Sequence, residues 1–206
     1  MTLRDDTAAD PGRVAQGFVS VGDTAALAAR GVTVLDPWST LVSASVSFGA
    51  GVVLWPGTSL QVLEAGTLHV GAGSVLFPGV RILAKGGNVM IDEEAEIGEE
   101  GGFTVKAETQ AVSILIGKGA RLLGGGSLLL DNEIGPGAQV LGPIRMQKCR
   151  LDGGGTHRDA DVDRRGGVLK GSGVARGCVV PRGHVIQAFG LFGDAPMRKQ
   201  SFFHPS

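Results

Sequence analysis

The chain has 206 residues, including 35 glycines and no tyrosine, and its 19 lysines and arginines nearly balance 20 aspartates and glutamates. This length predicts a single domain. No apolar run is long enough for a membrane span, and no basic and apolar leader opens the chain, so we expect a soluble, cytoplasmic protein with no membrane partner. Two cysteines are too few for a secreted disulfide framework, and Cys178 is expected to be a buried free thiol.

The first 33 residues precede the repeats and are expected to form a tail and a short helical arm. Residues 1–20 show no periodicity and are expected to be mobile. From Gly22 to Gly31 the sequence GDTAALAARG is rich in helix formers, with Asp23 as the expected N-cap and Gly31 where the helix should end.

A step of six residues organises the segment 34–190. Between Ile116 and Met146 a large apolar residue occurs at every sixth position, and the pattern overlays on itself after eighteen residues. Neither a helix nor a simple strand has this period, whereas three extended segments joined by glycine-containing corners do. The pattern predicts an all-β fold, a left-handed parallel β-helix of about seven coils. The expected inward positions are Val42, Phe48, Leu54, Leu60, Val70, Leu76, Ile82, Ile91, Ile97, Phe103, Ile116, Leu122, Leu128, Ile134, Val140, Met146, Val168, Val174, Val180 and Ile186.

The step of six slips in four places, and loops are expected to leave the coil there. These places are residues 61–69, 83–90, 104–115 and 147–167. Residues 191–206 lie beyond the last repeat and are expected to form a C-terminal tail. The prism has three flat faces, and one side of it can contact two neighbouring copies of the chain. We therefore expect a homotrimer.

Residues 21–60 carry a resemblance to a known family. The segments Gly31–Pro37 (GVTVLDP), Ser43–Val46 (SASV) and Trp55–Gly57 (WPG) follow the predicted helix. They resemble the junction of helical arm and left-handed β-helix in the bifunctional N-acetylglucosamine-1-phosphate uridyltransferase and glucosamine-1-phosphate acetyltransferase family. The resemblance implies a hexapeptide-repeat β-helix and an association with sugar nucleotide chemistry.

Two departures from that family limit what the resemblance implies. No nucleotidyltransferase head precedes residue 31. The acetyltransferase half of the family carries an Asn-His pair and an Asn-Tyr-Asp-Gly loop, and this chain has neither. Neither catalytic activity is therefore transferred residue by residue.

The C-terminal third of the chain is basic. Residues 142–206 hold 11 lysines and arginines against 5 acids, whereas residues 1–141 hold 8 against 15. A basic end attracts an anion, and coenzyme A or a sugar phosphate is the anion that resembling proteins handle. We expect Lys170, Arg176 and Arg182, at third positions of hexapeptides, to meet the phosphates of a coenzyme A thioester. The alternative is that these cations belong to the ordinary mixture of charges on a protein surface and bind no ligand. Nucleic acid is not favoured as a ligand because aromatic residues are few.

The loop 152–167 is the candidate catalytic segment. His157 is followed by three aspartates that could orient its imidazole as a general base, and hexapeptide acyltransferases use a histidine near a subunit interface in this way. The alternative is a mobile, solvated loop. The aspartates are Asp159, Asp161 and Asp163.

The other polar clusters give no metal site by spacing. No two histidines lie five residues apart, as a hydratase-type zinc site on this fold would need. The acidic stretch 92–100 surrounds inward Ile97 and is expected on the outer surface, either solvated or facing a cation or a basic partner. His184 takes a small inward position and is expected to cap the last coil.

Two functions of different classes remain. The favoured hypothesis is a coenzyme A-dependent acyltransferase acting on a sugar, small amine or hydroxyl acceptor, with His157 as base. The alternative is a non-catalytic β-helix, a scaffold or regulatory subunit related to the sugar nucleotidyltransferases. The alternative explains the missing family motifs but gives no reason for the loop around His157.

Overall fold

Residues 10–204 are described by a computed structural model in which short strands dominate. The strands are β1 (Thr33–Val34), β2 (Leu41–Val42), β3 (Ser47–Phe48), β4 (Val53–Leu54), β5 (Ser59–Leu63), β6 (Thr67–Val70), β7 (Val75–Leu76), β8 (Arg81–Lys85), β9 (Asn88–Ile91), β10 (Glu96–Ile97), β11 (Thr104–Ala107), β12 (Ser113–Ile116), β13 (Arg121–Leu123), β14 (Ser127–Ile134), β15 (Gln139–Leu141), β16 (Ile144–Leu151), β17 (Val168–Arg176), β18 (Val179–Val180), β19 (His184–Leu191) and β20 (Met197–Lys199).

Strands β1 to β19 pair in parallel with the strand one coil earlier or later, which defines three faces. The first face contains β1, β4, β7, β10, β13, β15 and the first halves of β17 and β19. The second contains β2, β5, β8, β11, the first halves of β14 and β16 and the second halves of β17 and β19. The third contains β3, β6, β9, β12, the second halves of β14 and β16, and β18. The prediction of an all-β parallel β-helix with a short N-terminal helix is confirmed.

The inward positions form aliphatic columns along the prism axis. On the first face Leu54, Leu76, Ile97, Leu122 and Val140 pair in register from coil to coil. Each of these five side chains is completely buried. Because each of these coils supplies one large apolar residue to the first face, each aliphatic side chain packs directly on the next one.

The slips in the step of six are mostly longer strands, so three of the four expected loops are wrong. Residues 61–69, 83–90 and 104–115 lie largely within strands that are joined by short turns. Extra residues lengthen a coil without leaving the sheet, because they extend the strands on the second and third faces. Only in the region 147–167 does a long loop leave the coil, after β16 ends at Leu151.

The first half of the last set of repeats is shifted by one residue from the prediction. Val140 pairs with Leu169 and Met146 with Ala175, so Leu169 and Ala175 point inward in β17. Val168 and Val174 are therefore wrong as inward residues, although Val168 is buried at the basic end of the prism, whereas Val180 and Ile186 are inward as expected. The physical reason is a step of five residues between inward Ala175 and inward Val180, so steps of six counted back from Val180 fall on Val174 and Val168.

Residues 10–20 pack against the first coil. Helix α1 (Asp10–Ala15) buries Arg13, whose guanidinium donates hydrogen bonds to the carbonyl oxygens of Pro37 and Thr40 at 2.9 and 3.1 Å. A buried guanidinium is tolerated only where acceptors surround it, so these bonds fix the helix on the first coil. The expectation of a mobile tail is wrong for residues 10–20, and residues 1–9 lie outside the described part.

Helix α2 (Val21–Ala26) continues into a 3₁₀ turn, Leu27–Arg30. Ser20, rather than the expected Asp23, is the N-cap, because its hydroxyl accepts the backbone N–H of Asp23. Gly31 ends the turn at a φ of 77°, as predicted. Of the helices in residues 10–204, none has the length and apolar character needed to cross a membrane.

The C-terminal segment folds back over the end of the prism. Strand β20 pairs antiparallel with β19, and a 3₁₀ turn, Gln200–Phe203, follows it. Gln200 is buried and donates to the carbonyl of Gly166 at 2.7 Å. His184 begins β19 half-buried, with Nδ1 2.9 Å from the carbonyl of Arg182, so β20 rather than His184 covers this edge of the last coil.

Both cysteines are buried free thiols, as expected for Cys178. The Cys149 sulfur contacts the carbonyl of Ala175 at 3.3 Å. Burial, with the neighbouring Cys149 thiol as a second cause, raises the pKa of Cys178 above its ordinary value of 9.0. Both thiols therefore pack as small apolar groups in the core.

Candidate functional site

The loop 152–167 is held compactly against the first face by its own hydrogen bonds. The backbone N–H of Asp159 donates to the carbonyl of Thr156 at 3.0 Å, which forms a turn around His157. The Arg165 guanidinium donates twice to the carbonyl of Asp159, at 2.9 and 2.7 Å. Gly155 and Arg165 also form a parallel bridge that closes the base of the loop. This network gives His157 a defined position.

His157 faces an ion pair on the first face. Glu96 and Arg121 are register partners in adjacent coils, and the Arg121 Nε donates to a Glu96 carboxylate oxygen at 2.8 Å. A second nitrogen of Arg121 reaches Glu99 at 3.3 Å. Burial and then the positive charge of Arg121 lower the pKa of His157 below its ordinary value of 6.5, against the opposing charge of Glu96. The imidazole is therefore neutral near pH 7.

The aspartates of the loop do not orient His157, so that expectation is wrong. Asp159 accepts the N–H of Asp161, and Asp161 accepts the N–H of Asp163, both at 3.1 Å. Asp163 accepts the N–H and the hydroxyl of Ser201, both at 2.9 Å, which anchors the C-terminal segment. Within residues 10–204, the buried Nδ1 atom of His157 has no hydrogen-bond partner.

Two small clefts adjoin His157, one on each side. The first, of about 190 Å³, is called the basic cleft because Arg165 and Lys170 line it together with apolar side chains. The second, of about 180 Å³, is called the acidic cleft because Glu94 and Glu96 line it. The remaining lining of the basic cleft is Gln139, Leu141, Val168, Val185, Gln200, Phe203 and His204, and that of the acidic cleft is Gly73, Val75, Gly119, Thr156 and Arg158.

A longer groove follows the corner between the first and second faces. It has a volume of about 490 Å³ and shares Lys170 with the basic cleft and Arg121 with the ion pair. Its floor includes Gly142 and Gly171, both with φ near +120°. A Cβ atom on either glycine would collide with a carbonyl oxygen of the next coil, so only glycine lets the coils stack at this corner. Phe189 stands 80% exposed at the end of the groove.

The three predicted cofactor residues are spread over the end of the prism. Lys170 lies within β17 on the first face, rather than at the expected corner, and lines the basic cleft. Arg176 is exposed at the end of β17 on the second face, where it pairs with Gln147. Arg182 is exposed in the turn between β18 and β19. One chain therefore brings Lys170 to His157 but not Arg176 or Arg182.

The acidic stretch 92–100 pairs with cations of the next coil. Lys118 lies 2.9 Å from Glu93 and 3.8 Å from Glu94, and Arg121 holds Glu96 and Glu99. Among residues 10–204, no group of three or more histidines, cysteines or acids is placed to hold a metal ion. The carboxylates thus serve the surface and the ion pair beside His157.

The ion pair of Glu96 and Arg121 was missed in the sequence, although a signal for it exists. Glu96 and Arg121 each stand directly before an inward aliphatic residue, so they share an outward column. Their step of twenty-five residues hid this relation, because the coils were expected to repeat after eighteen. The contribution of Phe203 and His204 to the basic cleft has no sequence signal, since the repeat ends before them.

Comparison with known proteins adds no relative. No protein-family model matches the chain, and no curated protein matches it significantly. The function must therefore be argued from the geometry around His157.

Proposed function

We propose that the chain is a coenzyme A-dependent acyltransferase that acylates an amine or hydroxyl group of a sugar or another small acceptor. One observation carries the proposal, which is the neutral imidazole of His157 between two clefts of different charge. A general base must be unprotonated at working pH, and burial beside Arg121 keeps His157 so.

The proposed reaction needs one proton acceptor and one leaving thiolate. The acceptor nitrogen or oxygen bonds to the thioester carbonyl carbon while His157 takes its proton. The carbon–sulfur bond then breaks, and the proton passes from the imidazolium to the coenzyme A thiolate. Glu96 favours the transient imidazolium, because its charge raises the His157 pKa. Burial and Arg121 oppose protonation in the resting state.

The two clefts suggest where each reactant binds. The basic cleft offers Arg165 and Lys170 to the phosphates of coenzyme A and apolar side chains to its uncharged arm. The acidic cleft offers Glu94 and Glu96 to a polar or amino-bearing acceptor. His157 lies on the boundary, where the carbonyl and the acceptor would meet.

Arg176 and Arg182 enter the proposal only through assembly. They line neither cleft within one chain, so their contribution to coenzyme A binding requires a homotrimer that brings them to a neighbour's basic cleft. Light scattering should then give about three times the chain mass of 21.1 kDa. A monomer would remove both residues from the cofactor site.

The proposal is tested first by ligand binding. Acetyl-CoA at a hundredfold excess over its dissociation constant should stabilise the protein by about 2.7 kcal/mol, or roughly 5 to 11 °C in melting temperature. Lys170→Ala should weaken this binding about tenfold, since a charged hydrogen bond contributes about 1.5 to 3 kcal/mol. The absence of any shift would rule out the cofactor.

Catalysis is tested separately through release of the coenzyme A thiol with a set of amino sugars, small amines and alcohols. His157→Ala should abolish release and leave acetyl-CoA binding intact, whereas His69→Ala, on the third face and outside both clefts, should leave both unchanged. Equal activity in the two variants would exclude His157 as the base.

The second candidate is a non-catalytic scaffold or regulatory subunit. One observation favours it: among residues 10–204 no carboxylate orients the imidazole, since Nδ1 has no partner and the loop aspartates bond elsewhere. If the protein neither binds acetyl-CoA nor releases the thiol, the scaffold or regulatory function is favoured.

A further inference from the structure

The second face carries a cleft with a different chemistry from the His157 site. The cleft has a volume of about 420 Å³, and β5, β8 and β11 form its floor. It shares no lining residue with the basic cleft, the acidic cleft or the corner groove. Its lining is Ser59, Gln61, Arg81, Ile82, Leu83, Thr104 and Lys106.

The strand register places these side chains in two outward columns. Ser59, Arg81 and Thr104 follow one another in one column across three successive coils. Gln61, Leu83 and Lys106 follow one another in the parallel column. Neighbouring strands lie about 4.8 Å apart, and residues two apart on a strand about 6.8 Å, so the Cα atoms of Arg81 and Lys106 are separated by about 8 Å. Both long side chains can therefore reach one anion between them.

The donors of the first column have no strong acceptor among the described residues. In the part of the chain from Asp10 to His204, no ion pair or side-chain hydrogen bond engages Arg81, Ser59 or Thr104. Lys106 has one acidic neighbour, Glu108, at the long distance of 3.9 Å. A guanidinium, an ammonium and two hydroxyls thus face the same cleft without a strong internal acceptor.

The remaining side chains limit what the anion is attached to. The Gln61 amide nitrogen donates to the carbonyl of Gln16 at 2.8 Å. The amide oxygen of the Gln61 side chain can then accept a hydrogen bond from a ligand hydroxyl. Leu83 gives a half-buried apolar surface between the two cations. The cleft is also much larger than a single inorganic ion, so the bound molecule needs an organic part beside its charge.

We propose that this cleft of the second face binds an organic oxyanion ester, a phosphate or sulfate monoester, with Arg81 and Lys106 on the charged group. A planar guanidinium donates two parallel hydrogen bonds to a tetrahedral oxyanion, and the ammonium and hydroxyls supply the others. Ser59 and Thr104 flank Arg81 and donate from both sides. The site is independent of acyl transfer, because it uses none of the residues around His157.

Calorimetric titration at low salt tests the site with matched probes. Glycerol 3-phosphate should bind and glycerol should not, and the same comparison between methyl sulfate and methanol separates a sulfate ester from a phosphate ester. Arg81→Ala should weaken binding at least about tenfold, and Lys106→Ala should weaken it to a similar degree.

Arg145→Ala is the matched control, because Arg145 lies in the same column as Arg81 on the second face but outside the cleft. Its binding should equal that of the parent protein. Equal losses for Arg81→Ala and Arg145→Ala would show diffuse attraction by the charged face and overturn the site, as would failure of both esters to bind. Circular dichroism and melting temperature verify that each variant is folded.

Discussion

Truncation of Leu122 tests the inward columns most directly. Leu122 is completely buried in β13, and its register partners in the coils on either side are Ile97 and Val140. Leu122→Ala removes the contact with both neighbours at once and leaves a cavity between coils that are fixed by backbone hydrogen bonds. Because the coils cannot collapse into the space, the loss should lie in the upper part of the usual range for buried leucine, about 3 to 5 kcal/mol.

The matched control is Leu115→Ala, since Leu115 is the same residue type but 44% exposed on the third face. Surface truncations usually change stability by less than about 0.5 kcal/mol. For a chain of this length the Leu122→Ala loss corresponds to a fall of about 6 to 20 °C in melting temperature. Leu122→Asp should prevent folding altogether, because it places an unpaired carboxylate between apolar coils.

Urea denaturation followed by circular dichroism measures both variants, with the slope against denaturant compared to verify that each unfolds as the parent does. The reasoning fails if Leu122→Ala and Leu115→Ala lose the same free energy. It fails equally if Leu122→Asp is soluble and melts cooperatively near the temperature of the parent protein.

Four further predictions follow from the site and the core. The folded-state pKa of His157 lies below 6.5, so thiol release should be constant above about pH 6.5 and fall only under more acidic conditions, and a limb above pH 7 would contradict a neutral base. For the same reason the unfolded chain binds this proton more readily, so His157 lowers the free energy of unfolding as pH falls below 6.5. His157→Gln should therefore reduce the dependence of the free energy of unfolding on pH below 6.5. Asp163→Ala should remove both bonds to Ser201 and expose the C-terminal segment to limited proteolysis at Lys199, with Asp194→Ala as control. Both thiols should react with Ellman's reagent only after unfolding, and rapid reaction of the native protein would refute the burial of Cys178.

The sequence predicts the core well where the repeat is uninterrupted. From Ile116 to Met146 the step of six is unbroken, and Leu122 pairs with Val140 exactly eighteen residues later. A large apolar residue between glycines leaves the chain little choice of phase, since a slip of one residue would expose the aliphatic side chain and bury a polar one. Local pattern and coil geometry agree here, so the prediction is confirmed.

Prediction from the sequence fails where the number of residues per coil varies. Glu96 and Arg121 are register partners twenty-five residues apart, and Gln139 and Val168 are partners twenty-nine apart. Hexapeptide spacing identifies inward positions but does not count the residues that extend a strand or a corner. The pairing of outward side chains, on which both candidate sites depend, was therefore not predictable from the period alone.

The N-terminal segment fails for a different reason. Its few residues show no period, and Arg13 reads as an ordinary surface charge. In the structure Arg13 is buried, and its guanidinium donates to the carbonyl oxygens of Pro37, Trp38 and Thr40 in the first coil. A guanidinium is suited to satisfy several such carbonyls at once, and this need arises only from the tertiary fold.

The single-residue shift in β17 links the core to the candidate active site. Residues two apart on a strand point to the same side, so with Val168 inward, Lys170 would also have pointed inward and could not have faced a ligand. The step from inward Ala175 to inward Val180 is five residues, so Leu169 rather than Val168 lies in the core, and Val168 and Lys170 point outward. Both then line the basic cleft, beside the histidine that the loop 152–167 supplies. The phase of β17 and the loop 152–167 thus build the cleft from two directions, and a slip of β17 by one residue would expose Leu169 and turn Lys170 into the core together.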